Sequence, residues 1–394
     1  MTLPPPPAYP GPIMTDASNE FGSHTMRVRV PAILDQTLAA NPDLSPARRE
    51  ALAALHDEIA SGAVMKPLTW QGENRDEIAG WREAYARRTG QTWHSTDWFF
   101  AETYAYRRLI EAVGYFETRS DPFLPIKREE YASEQHRSLF EMALGIDAPP
   151  NEKLHSLLGM DLWGNRVDLS YAESRTHGME TASGDLLVDD RSAILARLHD
   201  HPGDVHIVAD NAGSELTMDL VLIDALLRDG WTERVVLHVK YHPTFVSDAT
   251  AADVHAFLNA CAQGEYGSAA GTLAARLQAA VHDRRLILES DVYWNSAFLW
   301  WEMPEHLLQT LGAAVLVFVK GDANYRRVVG DAFWPHETAF AQIVSGVGVP
   351  VACIRTFKSD PVVGLAPGTA ERLQAADPRW RWSGKRGVIQ AYIP

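Results

Sequence analysis

The chain has 394 residues, of which 46% are apolar and 22% are charged, proportions that exclude wholesale disorder. Its 36 Lys and Arg residues against 51 Asp and Glu residues give a net charge of −15, which excludes a general electrostatic attraction to nucleic acid or to an anionic membrane. The two cysteines, Cys261 and Cys353, cannot build a disulfide framework or a four-cysteine zinc site and are predicted to be buried thiols in a reducing cytoplasm.

The N-terminal segment is rich in proline, with six prolines among the first twelve residues. This composition predicts an extended or disordered tail over residues 1–25. The segment lacks the basic stretch followed by an apolar stretch that marks a secretory signal. No apolar run in the chain reaches the roughly 18–20 residues of a membrane-spanning helix. We therefore expect a cytoplasmic protein with no membrane partner.

Residues 26–147 are predicted to form an all-helical N-terminal domain, because apolar residues recur there at helical spacing and β-branched runs are nearly absent. In the helix expected over residues 98–113, Glu102 lies at the border of the apolar stripe, about 60° from Phe99. Residues 148–191 are predicted to be a loop-rich connector. The helices expected in the N-terminal domain are 47–59, 76–88, 98–113 and 128–144.

From residue 192 to 394, short β-rich runs alternate with amphipathic helices. Such alternation predicts an α/β fold, here a three-layer α/β/α domain with a mainly parallel sheet. The expected strands are 205–209, 234–239, 285–289, 314–319, 350–356 and 388–392. The expected helices are 215–229, 252–263, 266–283, 304–311 and 333–345.

Polar side chains follow five successive strands of this predicted sheet. In open α/β sheets, ligands bind beyond the carboxyl ends of the strands. Taken singly, Asp210 with Asn211 is equally explained as a turn with a helix cap, and Asp248 is better explained as a cap. Five such strand ends at one edge of the sheet instead predict a site for a hard metal ion and an anionic ligand. The strand ends carry Asp210 and Asn211, then Asp248, then Asp291, then Asp322 with Arg326, and finally Lys358.

The residue types narrow the predicted chemistry. Asp and Asn oxygens suit Mg²⁺ or Mn²⁺ better than zinc, and a few protein ligands leave positions open for water and substrate oxygens. Lys and Arg beyond the metal suit phosphate oxygens. The combination predicts metal-assisted phosphoryl transfer to water.

Four motifs stand out along the chain: Val-Ala-Asp-Asn-Ala-Gly-Ser-Glu (208–215), Phe-Val-Ser-Asp (245–248), Lys-Gly-Asp-Ala-Asn-Tyr-Arg-Arg (320–327) and Arg-Thr-Phe-Lys (355–358), with two upstream stretches at 98–108 and 162–170. These motifs resemble the damage-control phosphatase family, and in particular its subfamily III, also called acidic residue methyltransferase-like, which carries an Arg-Thr-x-Lys motif. The resemblance extends from about residue 30 to the end, and the proline-rich tail has no recognised counterpart.

This resemblance implies a metal-dependent phosphatase that acts on small sugar phosphates, such as fructose phosphates, or on related phosphometabolites, with Mn²⁺, Mg²⁺, Co²⁺ or Ni²⁺ as cofactor. It leaves open whether Asp210 is only a metal ligand or also the nucleophile, and it does not fix the oligomeric state. The implied metal ligands are Asp210, Asn211 and Asp248, which together with Lys358 form the implied catalytic set. The implied substrate contacts are Glu102, Asp322, Ala323, Asn324, Tyr325, Arg326 and Lys358, with Asn165, Asp168 and Asp291 as further candidates.

Two other functions are open from the sequence. The subfamily's alternative name implies S-adenosylmethionine-dependent carboxyl methylation of proteins, but the turn at 210–213 holds a single glycine and a methyltransferase has no evident need for the Asp-Asn-Asp set. A non-catalytic metabolite-binding protein is the other alternative. Arg107 and Arg108 are expected to pair with acids of neighbouring helices, and Trp294, Trp300 and Trp301 are expected to pack in a core or lid.

Overall fold

The computed structural model describes residues 3–70, 74–164 and 185–394. Its α-helices are Glu20–His24, Val30–Ala40, Pro46–Ala60, Arg75–Ala86, Trp98–Ala112, Tyr115–Thr118, Leu124–Ala132, Glu134–Leu144, Pro150–Leu162, Arg191–Asp200, Ser214–Arg228, Ala251–Ala262, Gly267–His282, Glu305–Gly312, Asp322–Val329, Phe340–Val344 and Thr369–Ala376. A π-helix covers Thr25–Arg29, and 3₁₀ turns cover Val292–Asn295, Trp300–Glu302 and Ser345–Val347. The strands are β1 (Leu186–Asp189), β2 (Val205–Val208), β3 (Val235–His238), β4 (Leu286–Glu289), β5 (Leu316–Lys320), β6 (Val351–Thr356) and β7 (Gly387–Tyr392).

The seven strands form one sheet in the order β1-β7-β6-β5-β2-β3-β4. Strands β2 to β6 run parallel, whereas β7 is antiparallel to β6 and carries β1 parallel to itself at the edge. The predicted mainly parallel sheet is confirmed. Strand β1 falls in the segment predicted to be a connector. Its apolar run, Leu186 to Val188, is only three residues long and only partly buried, and Asp189 is exposed, so it is shorter than the run typical of a central strand.

Helices cover both faces of the sheet, which confirms the three-layer α/β/α arrangement. One face packs against the helices between Glu134 and His282 and forms a core that includes Leu158, Leu216 and Phe257. The other face packs against the segments between Tyr293 and Leu365 and includes Trp294 and Trp300. The N-terminal helices have a separate core. The three predicted core tryptophans, Trp294, Trp300 and Trp301, are all buried.

The strand order creates a crevice between β2 and β5. After β2 the chain builds outward through β3 and β4, then returns to the other side of β2 to form β5 and β6. The connections that follow β2 and β5 therefore run toward opposite edges of the sheet. This arrangement opens a binding crevice at the carboxyl ends of the two strands. Residues after β2 and β5 flank this crevice.

The tail predicted over residues 1–25 to be extended or disordered packs, from residue 3 onward, against the rest of the protein, which favours the extended alternative. Its extended part follows the protein surface: the Leu3 amide donates to the carbonyl of Trp301 at 2.9 Å, and the Tyr9 hydroxyl donates to that of Gly330 at 2.8 Å. The Ile13 side chain is buried. Prolines fix an extended backbone at low entropic cost, and the few apolar residues between them supply the anchoring contacts that composition alone does not reveal.

The predicted connector is also partly wrong. Pro150–Leu162 is a helix whose Leu154, Leu157 and Leu158 are buried in the core of the α/β region. Their spacing of three and four residues is that of an amphipathic helix, and Pro150 is suited to its first turn. The predicted helix 128–144 is divided in two at Ser133, which caps the second part through the amide of His136. The predicted helix 333–345 shortens to Phe340–Val344.

The remaining expectations concern paired and buried groups. Arg107 contacts Glu77 at 2.5 Å and Arg108 contacts Glu58 at 3.2 Å, so both pair with acids of neighbouring helices as expected. Cys261 and Cys353 are free and buried. Among the described residues, no helix combines the length and apolar composition needed to cross a bilayer.

Candidate active site

A small cleft of about 170 Å³ opens at the crevice between β2 and β5 and extends to the N-terminal helices. It brings together residues that are distant in sequence, from the N-terminal region to the segment after β6. The residues that line it are Phe21, Arg29, Trp98, Glu102, Asp210, Asn211, Phe245, Ser247, Asp248, Asp322, Ala323, Arg326, Lys358 and Ser359.

Asp210 and Asn211 are held against the loop that carries Asp248. The Ala249 amide donates to the carbonyl of Asp210 at 2.7 Å, and the backbones of Asn211 and Asp248 form a bridge. The hydroxyl of Ser247 also donates to Asn211 Oδ1 at 2.6 Å. Backbone and side-chain bonds thus fix the three predicted metal ligands in one place.

The chain reaches Asp248 through a strained turn. Phe245 and Val246 have φ values of 48° and 70°. The left-handed region is costly for residues with a Cβ atom, above all for a β-branched one. Strain of this kind persists only where the surroundings impose it and concentrates at functional sites. Here the turn delivers Ser247 and Asp248 to the edge of the cleft.

Asp210 and Asp248 form the floor of the cleft, and their carboxylates are buried, as is that of the neighbouring Glu215. Burial, reinforced by Glu215 and Asp248, raises the pKa of Asp210 well above its usual range. Burial likewise raises the pKa of Asp248, although the Lys240 ammonium, 2.9 Å from Asp248 Oδ2, opposes this. Asp210 and Asp248 therefore lie in surroundings that disfavour their charged forms.

Gly321, directly after β5, allows Asp210 to occupy its position. Its φ is 82°, and a Cβ atom added there would lie 1.9 Å from Asp210 Oδ2. Such a contact is far inside van der Waals range, so any side chain at this position would displace the carboxylate. The turn after β5 and the acid after β2 are therefore built to fit one another.

We expect Gly321→Ala to lower turnover roughly a hundredfold, because a displacement of about 1 Å at a reactive group has an effect of that size. Gly312→Ala is the matched control, since Gly312 has ordinary backbone geometry and open space around its Cα. Turnover and melting temperature should be measured for both variants. Normal turnover in Gly321→Ala would show that the tight fit between these residues has no catalytic importance.

Lys358 also lines the cleft. Its side chain is 42% exposed and its ammonium is 4.0 Å from Glu215 Oε1. Although partial desolvation alone would lower its pKa, the carboxylates of Glu215, Asp210 and Asp322 outweigh this effect and raise the pKa. Asp322 fixes this segment, because its Oδ1 accepts from the Lys358 amide at 3.1 Å and from Arg355 Nε at 2.8 Å. Lys358 is therefore a charged group with room to meet a ligand.

Glu102 reaches the cleft from the Trp98–Ala112 helix. Its Oε2 is 2.5 Å from Arg326 Nη1, and Arg326 also contacts Asp331 at 2.7 Å. The Arg326 guanidinium lies over the ring of Trp98, with its central carbon 3.6 Å from the centroid. Glu102 thus faces the α/β region across the cleft, while Arg326 pairs with two carboxylates.

Residues 322–326 form the first turn of the Asp322–Val329 helix. Asp322 and Ala323 line the cleft, and the first turn of a helix presents backbone N–H groups to ligands. The side chains of Asn324 and Tyr325 do not line the cleft. Asn324 is buried and donates to the carbonyls of Ala209 and Lys320, and the Tyr325 hydroxyl donates to Gln390. Their predicted substrate contacts are therefore not supported by side-chain position.

Of the three further candidates, only Asp291 is among the described residues. Asp291 lies outside the cleft, where it caps a 3₁₀ turn through the Tyr293 amide and contacts His306 Nε2 at 2.6 Å. Asn165 and Asp168 fall outside the part of the chain that the structure describes.

Sequence reasoning missed Glu215, Phe21 and Arg29. Glu215 accepts from Asn211 Nδ2 at 2.9 Å. The four-residue spacing between Asn211 and Glu215 could have indicated that the two side chains lie close together. However, an acid in the first turn of a helix is also explained by its favourable interaction with the helix dipole. Phe21 and Arg29 lie in or near the segment assigned to the tail.

The sequence and the fold are similar to those of known proteins. A family model described as the damage-control phosphatase ARMT1-like domain matches residues 25–373. The damage-control phosphatase ARMT1 of Danio rerio is 29% identical over 95% of both chains. That of Xenopus tropicalis is 30% identical over 85% of this chain and 84% of its own. A solved DUF89 family protein from Pyrococcus horikoshii shares the fold, with a TM-score of 0.51 over 95% of this chain and 98% of that one at 13% identity.

Proposed function

This chain belongs to the damage-control phosphatase ARMT1-like family, and on that premise we propose that it is a divalent-metal-dependent phosphatase. Its proposed substrates are small sugar phosphates, such as fructose phosphates, or related phosphorylated metabolites of the cytoplasm. The observation that carries the proposal is the convergence of Asp210, Asn211 and Asp248 with Lys358 in one cleft at the crevice of the sheet.

The donor set fits a hard divalent cation. Asp210 and Asp248 offer carboxylate oxygens and Asn211 offers an amide oxygen, which are ligand types of Mg²⁺ and Mn²⁺. The described residues contain no group of three or more His, Cys, Asp or Glu side chains arranged to hold a metal, so the amide and non-protein oxygens would complete the shell. Burial raises the pKa values of Asp210 and Asp248, and for Asp210 the carboxylates of Glu215 and Asp248 add to this effect. A bound cation would favour the charged form of both side chains.

In this proposal, the groups that line the cleft have different roles. When bound, the cation supplies charge neutralisation and polarisation at a phosphate oxygen. Lys358 places a positive charge against the other phosphoryl oxygens, and the amides at the start of the Asp322–Val329 helix face the same group. Asp322 positions Lys358 through its backbone amide. Hydrolysis forms a bond between phosphorus and a water oxygen and breaks the bond between phosphorus and the ester oxygen.

The size and polarity of the cleft favour a small hydroxylated substrate. Its volume is about 170 Å³. Glu102 lines the same cleft as Lys358 and offers carboxylate oxygens that accept hydrogen bonds from hydroxyl groups. A sugar phosphate supplies an anion for Lys358 and hydroxyls for Glu102.

The test is a phosphate-release screen of the purified chain over a panel of sugar phosphates, with Mg²⁺, Mn²⁺, Co²⁺ and Ni²⁺ supplied in turn. The proposal predicts release that is lost on exhaustive chelation and regained when metal is returned. Full activity after chelation would contradict metal dependence. No release from any substrate, together with methyl transfer from labelled S-adenosylmethionine to an acidic protein, would instead favour the methyltransferase alternative.

We expect Glu102→Ala to reduce activity on sugar phosphates at least about tenfold more than activity on a generic aryl phosphate. The reason is that the aryl phosphate offers the phosphate but no sugar hydroxyls, so it gains nothing from Glu102. Glu102→Gln is the companion variant, because it keeps the side-chain volume while it removes the charge that pairs with Arg326. Equal losses on both substrates would instead assign Glu102 a structural role in its ion pair.

A further inference from the structure

The N-terminal segment contributes two side chains to the cleft, Phe21 and Arg29. Phe21 precedes residue 25, where the family match begins. Arg29 ends the π-helix Thr25–Arg29. A π-helical turn is rare and is frequently found at functional sites. Neither residue is part of the set that the family motifs imply.

Most cations around the cleft are already engaged. Arg326 contacts Glu102 and Asp331, and Lys240 contacts Asp248. Arg355 binds Asp322 through Nε and the backbone and hydroxyl of Ser359 through Nη2. A ligand would have to break these contacts to recruit any of the three.

Arg29 differs from them. It is exposed, and within the described part of the chain its guanidinium has no hydrogen bond or ion pair with another residue. Arg29 lines the same cleft as Lys358, and its charge opposes the rise in the pKa of Lys358 that the carboxylates cause. Two like charges placed together at the mouth of a cleft create a site that attracts an anion.

The position of this segment is fixed by aromatic packing. The ring of Phe21 stacks on that of Trp382 with centroids 5.1 Å apart and meets the ring of Trp98 edge-on at 5.5 Å. Asn19 caps the Glu20–His24 helix through the Gly22 amide and donates to Asp360 at 3.1 Å. The helix continues directly into the π-helix, so Arg29 is presented from an anchored element.

We propose that Arg29 is a further anion-binding residue of this site, which engages the phosphoryl group of the substrate together with Lys358. The assignment of the anion as a substrate phosphate rests on the proposed function, whereas the binding of phosphate itself does not. A charge-assisted hydrogen bond at such a position is expected to change affinity about tenfold or more.

The experiment measures the binding of inorganic phosphate by calorimetry, in the presence of Mg²⁺, to the full chain and to Arg29→Ala and Arg27→Ala. Arg27 is the matched control, because it is exposed on the same π-helix and donates to Ser23 at 3.0 Å without lining the cleft. We expect Arg29→Ala to weaken phosphate binding at least about tenfold, and Arg27→Ala to leave it near that of the wild type. For both variants, KM and kcat with a fructose phosphate should be compared.

Equal affinity in the two variants, or no phosphate binding by the wild type, would overturn the inference. Loss of phosphate binding in Arg29→Ala alone supports it even if no sugar phosphate is hydrolysed, an outcome that would instead refute the proposed function. If Arg29→Ala has a lower melting temperature than the wild type, Arg29→Lys distinguishes a structural role of Arg29 from a role in anion binding. Restored phosphate affinity in Arg29→Lys then supports anion binding, and affinity as low as that of Arg29→Ala counts against it.

Discussion

Lys358→Ala is expected to lower turnover by roughly two or more orders of magnitude, comparable to the loss of one electrostatic stabiliser of a transition state. The ammonium faces the cleft with its nearest carboxylate oxygen 4.0 Å away, so its charge is available to phosphoryl oxygens. Lys358→Arg should recover little, because a planar guanidinium fork does not occupy the place of a compact ammonium. Steady-state kinetics with a fructose phosphate measure both effects.

The fold should survive this substitution. The Lys358 side chain is 42% exposed, and exposed ion pairs contribute at most about 1 kcal/mol. Lys66→Ala is the matched control, because Lys66 is an exposed lysine that contacts Glu58 at 3.2 Å, outside the cleft. Near-normal turnover in Lys358→Ala, or unfolding of the variant, would mean that Lys358 has a structural role and does not bind phosphate.

Asp210→Asn is expected to reduce turnover roughly a thousandfold, because it removes a carboxylate ligand from a site with only two. The same change should raise the melting temperature of the metal-free protein. Asp210 is buried near Glu215 and Asp248, so its charge destabilises the fold while no cation is bound. Function and stability therefore oppose each other at this residue.

Thermal unfolding with and without Mn²⁺ separates these two effects. A ligand that binds only the folded state stabilises it by about 2.7 kcal/mol at a concentration one hundred times its Kd. The wild type should therefore gain stability from Mn²⁺, whereas Asp210→Asn should begin higher and gain much less. Equal gains in both proteins would show that Asp210 does not hold the metal.

The sequence was sufficient to predict six of the seven strands and to place Asp210 and Asp248 at one edge of the sheet. Asp210 and Asp248 were identified because polar residues follow buried strands, and parallel strands gather their carboxyl ends at one edge. That argument depends on order along the chain, which a sequence contains. It cannot state which side of a helix a residue faces, which explains why Tyr325 was predicted to bind substrate although its side chain lies in the core.

The wall formed by the N-terminal segment could not be predicted. Proline content indicates an extended backbone but not its path, and the anchors of this segment are single contacts to residues hundreds of positions away, such as Phe21 on Trp382. Glu215 was missed for another reason. Its place in a first helical turn has an ordinary explanation, and only its contact with Asn211 sets it apart.

The central claim is that Asp210, Asn211 and Asp248 hold a divalent cation at the floor of the cleft. Anomalous diffraction from a crystal grown with Mn²⁺ tests it most directly. The account predicts an anomalous peak at roughly 2.0–2.4 Å from oxygens of these three side chains. A protein that releases phosphate in Mn²⁺ but whose crystal has no peak there, or has its peak at other residues, would contradict it.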